Sequence, residues 1–178
     1  MIIAGLDLSL RAAGVAVMGP GDEVHCYTVG SSLTKQANDR KRLQRLVDVT
    51  NGVMGILQRH KVTAVGIENY GFASHTLAFS AELGGNVRVQ VWVGLGIMPV
   101  SLPSMSVRKY LLGKATKDKK VVRDHLRRLG YGQPTNTDES DALAVALVTR
   151  DYFARRETVS DVEKMNLFDR LDRQRSLD

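Results

Sequence analysis

An α/β domain with a mixed sheet is the fold this sequence predicts, on three observations. Three short apolar segments separated by turns open the chain and read as an antiparallel meander. Beyond residue 36 the pattern changes to helical stretches alternating with β-branched runs, the arrangement of crossover connections. The chain has 178 residues, 43% of them apolar, which suits one compact domain with a sizeable core.

Ile2 to Leu6 is the first strand, and Asp7 follows it. Arg11 to Gly14 reads as a tight turn, and Val15 to Met18 as the returning strand, broken by Gly19-Pro20-Gly21. His25 to Val29 supplies a third strand. Residues 36–60 are helical, with Leu43, Leu46, Val47, Val53, Met54 and Leu57 at three- and four-residue spacing. Val62 to Ile67 is a central strand ending at Glu68. Residues 74–95 form a second helix, in which Gly84, Gly85 and Gly94 permit close approach to a strand or a second subunit. Ile97 to Leu102 is the fifth strand, stopped by Pro103-Ser104. Two helices follow, Ser106 to Leu112 and Lys117 to Leu129, the latter closed by Gly130. Thr137 or Asp138 can cap a last long helix to about Arg155, buried along Ala142, Leu143, Val145, Ala146 and Leu147. Residues 1–155 are therefore the expected domain. Residues 156–178 are a charged tail, either a peripheral helix around Val162 to Leu171 or mobile.

A net charge of +6 points to a polyanionic partner, because Lys and Arg that neutralise phosphates release counterions. The single cysteine, Cys26, excludes an intrachain disulfide framework and fits a reducing cytoplasm. Neither a secretory signal nor a membrane span is expected, since Asp7 and Arg11 interrupt the apolar start. His25, His60, His75 and His125 are scattered, without the spacing of a zinc site.

Four carboxylates carry the chemistry. Asp7 ends a buried strand, where an unpaired charge is costly; a metal ion or a turn-capping role with Ser9 accounts for it equally well. Glu68 stands at the carboxyl end of a central strand, a usual place for chemistry and also for an ordinary exposed acid. Asp138 and Asp141 lie three residues apart at a helix start and share one face, whereas Glu139 points elsewhere. The helix dipole explains Asp138 well and Asp141 less well. Acids from a first strand, a later strand and a last helix can converge, and converging carboxylates resist full ionisation unless a cation joins them. Hard oxygen ligands select Mg²⁺ or Mn²⁺, and a pair of such ions can clamp both oxygens of a phosphodiester displacement.

Gly5-Leu6-Asp7-Leu8-Ser9 with Gly14, Ile67-Glu68-Asn69, and Asp138-Glu139-Ser140-Asp141-Ala142-Leu143-Ala144 together resemble the acidic motifs of the RuvC family, in order and in spacing. The resemblance runs from Met1 to about Arg155 and is that of a divergent, phage-encoded member. It implies an RNase H-like fold with a mixed five-stranded sheet flanked by helices. It implies a homodimer that resolves four-way (Holliday) junctions by two symmetric nicks, with two Mg²⁺ (or Mn²⁺) ions at each site. Asp7, Glu68, Asp138 and Asp141 would be its metal-binding catalytic acids; some members carry histidine at the position of Asp138. Hydrolysis would leave a 5′ phosphate and a 3′ hydroxyl without a covalent enzyme intermediate.

The basic segment from Arg108 to Arg128 reads as a DNA contact or as a solvated helix face. Within it, Gly113-Lys114-Ala115-Thr116-Lys117 resembles the family's basic loop. Lys117 best matches its active-site-proximal lysine, Lys109 matches a second, and Lys119 and Lys120 compete with Lys117 if the register shifts. After Glu68, the family's aromatic position is Gly71, flanked by Tyr70 and Phe72. Either ring can stack on an unpaired base or belong to the core. The helix 74–95, with Leu77, Phe79, Leu83 and Trp92, is the expected dimer interface, although core packing explains the same pattern. Three other functions fit less of the sequence. An ATPase of the actin and sugar-kinase type needs a second phosphate loop and a longer chain, so no nucleotide cofactor is expected. A non-catalytic DNA-binding module would not need the acids. A nuclease of forks, flaps or RNA–DNA hybrids would share the same metal site.

Overall fold

The computed structural model describes residues 1–21, 23–31, 38–69, 77–154 and 172, the side chains of Leu77 and Phe79 excepted. Strands β1 (Ile3–Asp7), β2 (Ala12–Met18) and β3 (Val24–Gly30) form the meander, and β4 (Ala64–Asn69) and β5 (Val100–Pro103) add on parallel to β1. The sheet order is β3-β2-β1-β4-β5, a mixed five-stranded sheet as the sequence predicts. Helices α1 (Asp39–Arg59) and α2 (Leu77–Leu95) cover one face; α3 (Ser104–Leu112), α4 (Lys119–Arg128) and α5 (Thr137–Ala154) cover the other. No helix among the described residues is long and apolar enough to cross a membrane.

Strand alternation divides the core. Leu6, Val15, Val17, Val65 and Ile67 meet Leu46, Val49, Val53 and Leu57 of α1 and Leu83, Val87 and Val91 of α2. The opposite face of β1 and β2 presents Gly5, Gly14 and Ala16, and there α5 lies almost directly on the strands. A Cβ on Gly14 would collide with the backbone carbonyl of Asp138, and one on Gly5 with that of Ala142. Every residue from Glu139 to Thr149 is buried, because α5 has the sheet beneath it and α3 and α4 above it. This explains why its apolar run has no polar stripe.

Boundaries moved where side-chain chemistry decided them. β2 begins at Ala12 rather than Val15, because the Ser9 hydroxyl accepts the Ala12 N–H (3.0 Å) and closes the turn one step earlier. Ser9 and not Asp7 is thus the turn cap, so the turn makes no call on the Asp7 carboxylate. Asn38 caps α1 through Lys41 N–H, and Asp118 caps α4 through Lys120 N–H. Asn136, rather than Thr137 or Asp138, caps α5: its Oδ1 accepts the N–H groups of Asp138 (3.0 Å) and Glu139 (2.9 Å). Tyr70, Phe72, the helix starts expected at 36 and 74, and the expected tail helix of residues 162–171 lie outside the described residues. Of the tail, Asp172 accepts a hydrogen bond from the Tyr152 hydroxyl at 2.6 Å.

Candidate metal centre

Parallel pairing of β1 with β4 aligns Leu6 with Ile67, so Asp7 and Glu68 emerge side by side at the carboxyl ends of adjacent strands. The first turn of α5 lies over this edge and lowers Asp138 and Asp141 toward them. Asp7, Glu68 and Asp141 each offer one oxygen, and the three oxygens lie within 4.8 Å of one another. Asp138 stands at the rim: it shares a cation with Asp7 and Asp141 but is not in the tight trio.

That cation is Lys119. Its Nζ lies 3.0 Å from Asp7 Oδ2, 3.0 Å from Asp138 Oδ1 and 2.9 Å from Asp141 Oδ2. Lys117, the best sequence match, is exposed in the turn before α4. Capping of α4 by Asp118 starts the helix at Lys119, and this turns the Lys119 side chain inward and leaves Lys117 outside. The expectation for Lys117 as the lysine beside the acids is therefore corrected to Lys119. Lys109, Lys114, Lys117 and Lys120 are all exposed on the same basic segment.

Arg108 also changes place. The sequence groups it with the DNA-facing basic residues, yet it is 6% exposed and donates to Asp141 Oδ2 and to the carbonyl of Thr116, each at 3.0 Å. Its signal was available: Arg108 lies three and four residues before Leu111 and Leu112, on the inward side of α3. A buried Asp141 held by Arg108 and Lys119 is a paired charge, and removing one partner of such a pair costs roughly 3–5 kcal/mol. Ser104, at the start of α3, hydrogen-bonds the Glu68 side chain and was not singled out by sequence.

The electrostatics fit a cation. Burial, reinforced by Asp141 and Asp138 against the pull of Lys119, raises the Asp7 carboxyl to about 6. Burial and the charge of Asp7 raise Glu68 to about 7. Burial disfavours the Lys119 ammonium, but Asp7 and Asp141 outweigh it and hold the group well above its ordinary value. Crowded, partly dry carboxylates that one ammonium bridges are a donor set for hard divalent ions, with all-oxygen ligands and no thiolate or imidazole among them. Cys26 is no rival nucleophile, since burial and the neighbouring Glu139 push its thiol up to about 12.

The family model described as crossover junction endodeoxyribonuclease RuvC matches residues 3–149. The chain belongs to the RuvC family. All four acids, Arg108 and Lys119 fall within the matched span. The crossover junction endodeoxyribonuclease RuvC of Leifsonia xyli subsp. xyli is 30% identical over 151 residues, covering 82% of this chain and 71% of that protein. Among solved structures, T. thermophilus RuvC in complex with a Holliday junction substrate superposes with a TM-score of 0.69 at 23% identity, over 89% of this chain and 97% of that one. A second Thermus thermophilus RuvC structure gives a TM-score of 0.64 at 23% identity, over 89% and 98% of the two chains. The fold is RNase H-like, and the family is one of metal-dependent nucleases.

Proposed function

We propose that this RuvC-family endodeoxyribonuclease resolves four-way DNA junctions by paired symmetric nicks through two-metal-ion hydrolysis. The observation that carries the reading is the convergence of Asp7, Glu68 and Asp141 oxygens within 4.8 Å, with Lys119 and Arg108 bonded to the same cluster. Asp7, Glu68, Asp138 and Asp141 would hold the ions, Mg²⁺ or Mn²⁺, which supply an acidified water and neutralise charge on the phosphate. Arg108 fixes the Asp141 carboxylate. Lys119, anchored among the acids, is the group placed to accompany a phosphate into the site. The exposed Lys109, Lys114, Lys117 and Lys120 supply backbone contacts whose strength falls with salt. Tyr70 and Phe72, two and four residues after Glu68 in the sequence, would be the rings to stack on a base opened at the junction centre.

Paired nicks need two sites, and a homodimer provides them. Val89, Trp92 and Val93 of α2 are 53%, 57% and 74% exposed and lie three and four residues apart, an apolar strip on one side of the helix. It supports α2 as the dimer face, while Leu83 is spent on the core. A reducing cytoplasm suits the unpaired Cys26.

The test offers purified protein labelled duplex, Y-fork, flap, three-way and four-way DNAs with Mg²⁺. Symmetric paired nicks confined to the four-way junction are expected, with ligatable ends. Equal cutting of every branched form would replace the reading by a general branched-DNA nuclease. Binding without cutting in either metal would replace it by a non-catalytic module.

A further inference from the structure

Between the two aspartates of α5 sits a third acid that points the other way. Glu139 is 5% exposed, and its carboxylate is fully engaged: Oε1 accepts from the Thr28 hydroxyl at 2.6 Å, and Oε2 accepts from the Thr135 N–H at 2.7 Å and its hydroxyl at 2.9 Å. Asn136 closes the ring. Its Nδ2 donates to Thr28 Oγ1 at 2.8 Å, while its Oδ1 caps Asp138 and Glu139. A buried carboxylate without such donors would be costly, so the network has one stable arrangement.

Sheet register ties this ring to the metal centre. Asp7 pairs with Gly14, and Gly14 pairs with Thr28, so the three form one row across β1, β2 and β3 and face the same side. The first turn of α5 lies along that row, with the Asp138 backbone on Gly14 and the Glu139 carboxylate on Thr28. Arg108 and Lys119 hold the other flank of the turn through Asp141 and Asp138. Without the Glu139 bonds, the turn would keep its backbone packing on Gly14 and its Arg108 and Lys119 contacts but lose its side-chain tie to β3.

We propose that Glu139, through Thr28, is a positioning residue that clamps the first turn of α5 to β3 and thereby sets the spacing of Asp138 and Asp141 from Asp7 for divalent-ion binding. This rests on the reading of the acids as metal ligands. Glu139 touches neither the other acids of the cluster nor the reacting atoms, and acts only through its neighbours.

The experiment is a Mn²⁺ titration of the full-length, metal-free protein without DNA, with free ion followed by electron paramagnetic resonance. Melting temperatures are measured alongside. Glu139→Ala is expected to weaken Mn²⁺ binding by about 10–100-fold, the range for loss of a group that orients a ligand. Thr28→Val should weaken it by about five-fold, as for one lost hydrogen bond, and Thr28→Ser should restore it. Val49→Ala, on the opposite face of the sheet, should lower the melting temperature and leave Mn²⁺ binding unchanged. If Glu139→Ala does not fold, the Thr28 pair decides. The clamp is overturned if folded Glu139→Ala, or Thr28→Val, binds Mn²⁺ within two-fold of the parent, or if Val49→Ala weakens binding as much. Absence of Mn²⁺ binding by the parent protein would instead remove the metal-ligand reading and the clamp with it.

Discussion

The two faces of the sheet are built on opposite principles. Toward α1 and α2 the strands present Leu, Val and Ile, and the helices stand off on large interdigitating side chains. Toward α5 the strands present Gly5, Gly14 and Ala16, and the helix backbone touches the sheet. The first face gains stability from buried apolar area. The second gives up side-chain volume so that the start of a helix reaches the ends of two strands. The acids converge because the face beneath them is nearly bare. Stability and site geometry can therefore be perturbed separately.

The largest effect should come from the acids. Asp7→Asn should lower Mg²⁺-dependent nicking of a four-way junction by at least roughly 10²–10³-fold, while gel-shift affinity without metal stays within a few-fold of the parent. Wild-type nicking by that variant would remove the catalytic role of the site.

A matched pair of small substitutions tests the contrast between faces. Gly14→Ala should push the start of α5 off β2 and cut nicking by more than about ten-fold, because the added carbon meets backbone rather than a yielding side chain. Val49→Ala should cost about 1–3 kcal/mol in urea unfolding and leave the nicking rate of the folded fraction unchanged. Equal rate losses in both variants would show that the faces are not independent.

pH sharpens the comparison, since the titrating acids stand on one face only. With carboxyls raised to about 6 at Asp7 and about 7 at Glu68, protons compete with the cation, so Mg²⁺ affinity should rise roughly ten-fold or more per pH unit between pH 6 and 7. For metal-free protein the sign reverses. An acid whose folded value exceeds its unfolded value binds more protons when folded, so its stabilising contribution is complete below about pH 4 and is lost as pH rises through 6 to 7. Thermal melts should therefore show metal-free protein losing stability from pH 5 to 8, and Mg²⁺ restoring it at pH 8. A pH-independent metal affinity would mean that these two carboxylates are not ligands.

The smallest effect on folding should come from the α2 strip. Trp92→Glu changes an exposed residue and should leave unfolding within about 0.5 kcal/mol, while sedimentation shifts from dimer to monomer and paired nicks become single nicks. An unchanged dimer would move the interface elsewhere.

Much of this was legible in sequence, and what was not has a common cause. The apolar run before Asp7, the strand ending at Glu68 and the three-residue spacing of Asp138 and Asp141 are local patterns, and they identified the sheet, the helices and the four acids. Helical spacing also placed Glu139 away from the aspartates. Reach across the fold is not local. Lys117 and Lys119 are two residues apart in a basic stretch, and only the Asp118 cap, which fixes where α4 begins, decides which ammonium enters the cluster. Arg108 read as one basic residue among many until α3 packed on α5 and buried it against Asp141. Asn136 won the capping role from Thr137 and Asp138 because its side chain also meets Thr28, more than a hundred residues away. Sequence alone determined the order of elements and singled out the four acids as candidates, since hydrophobic period and residue type act over a few neighbours. Tertiary structure alone decided which cation meets them and what holds them in place, since those contacts exist only when α3, α4 and α5 close over one bare row of the sheet.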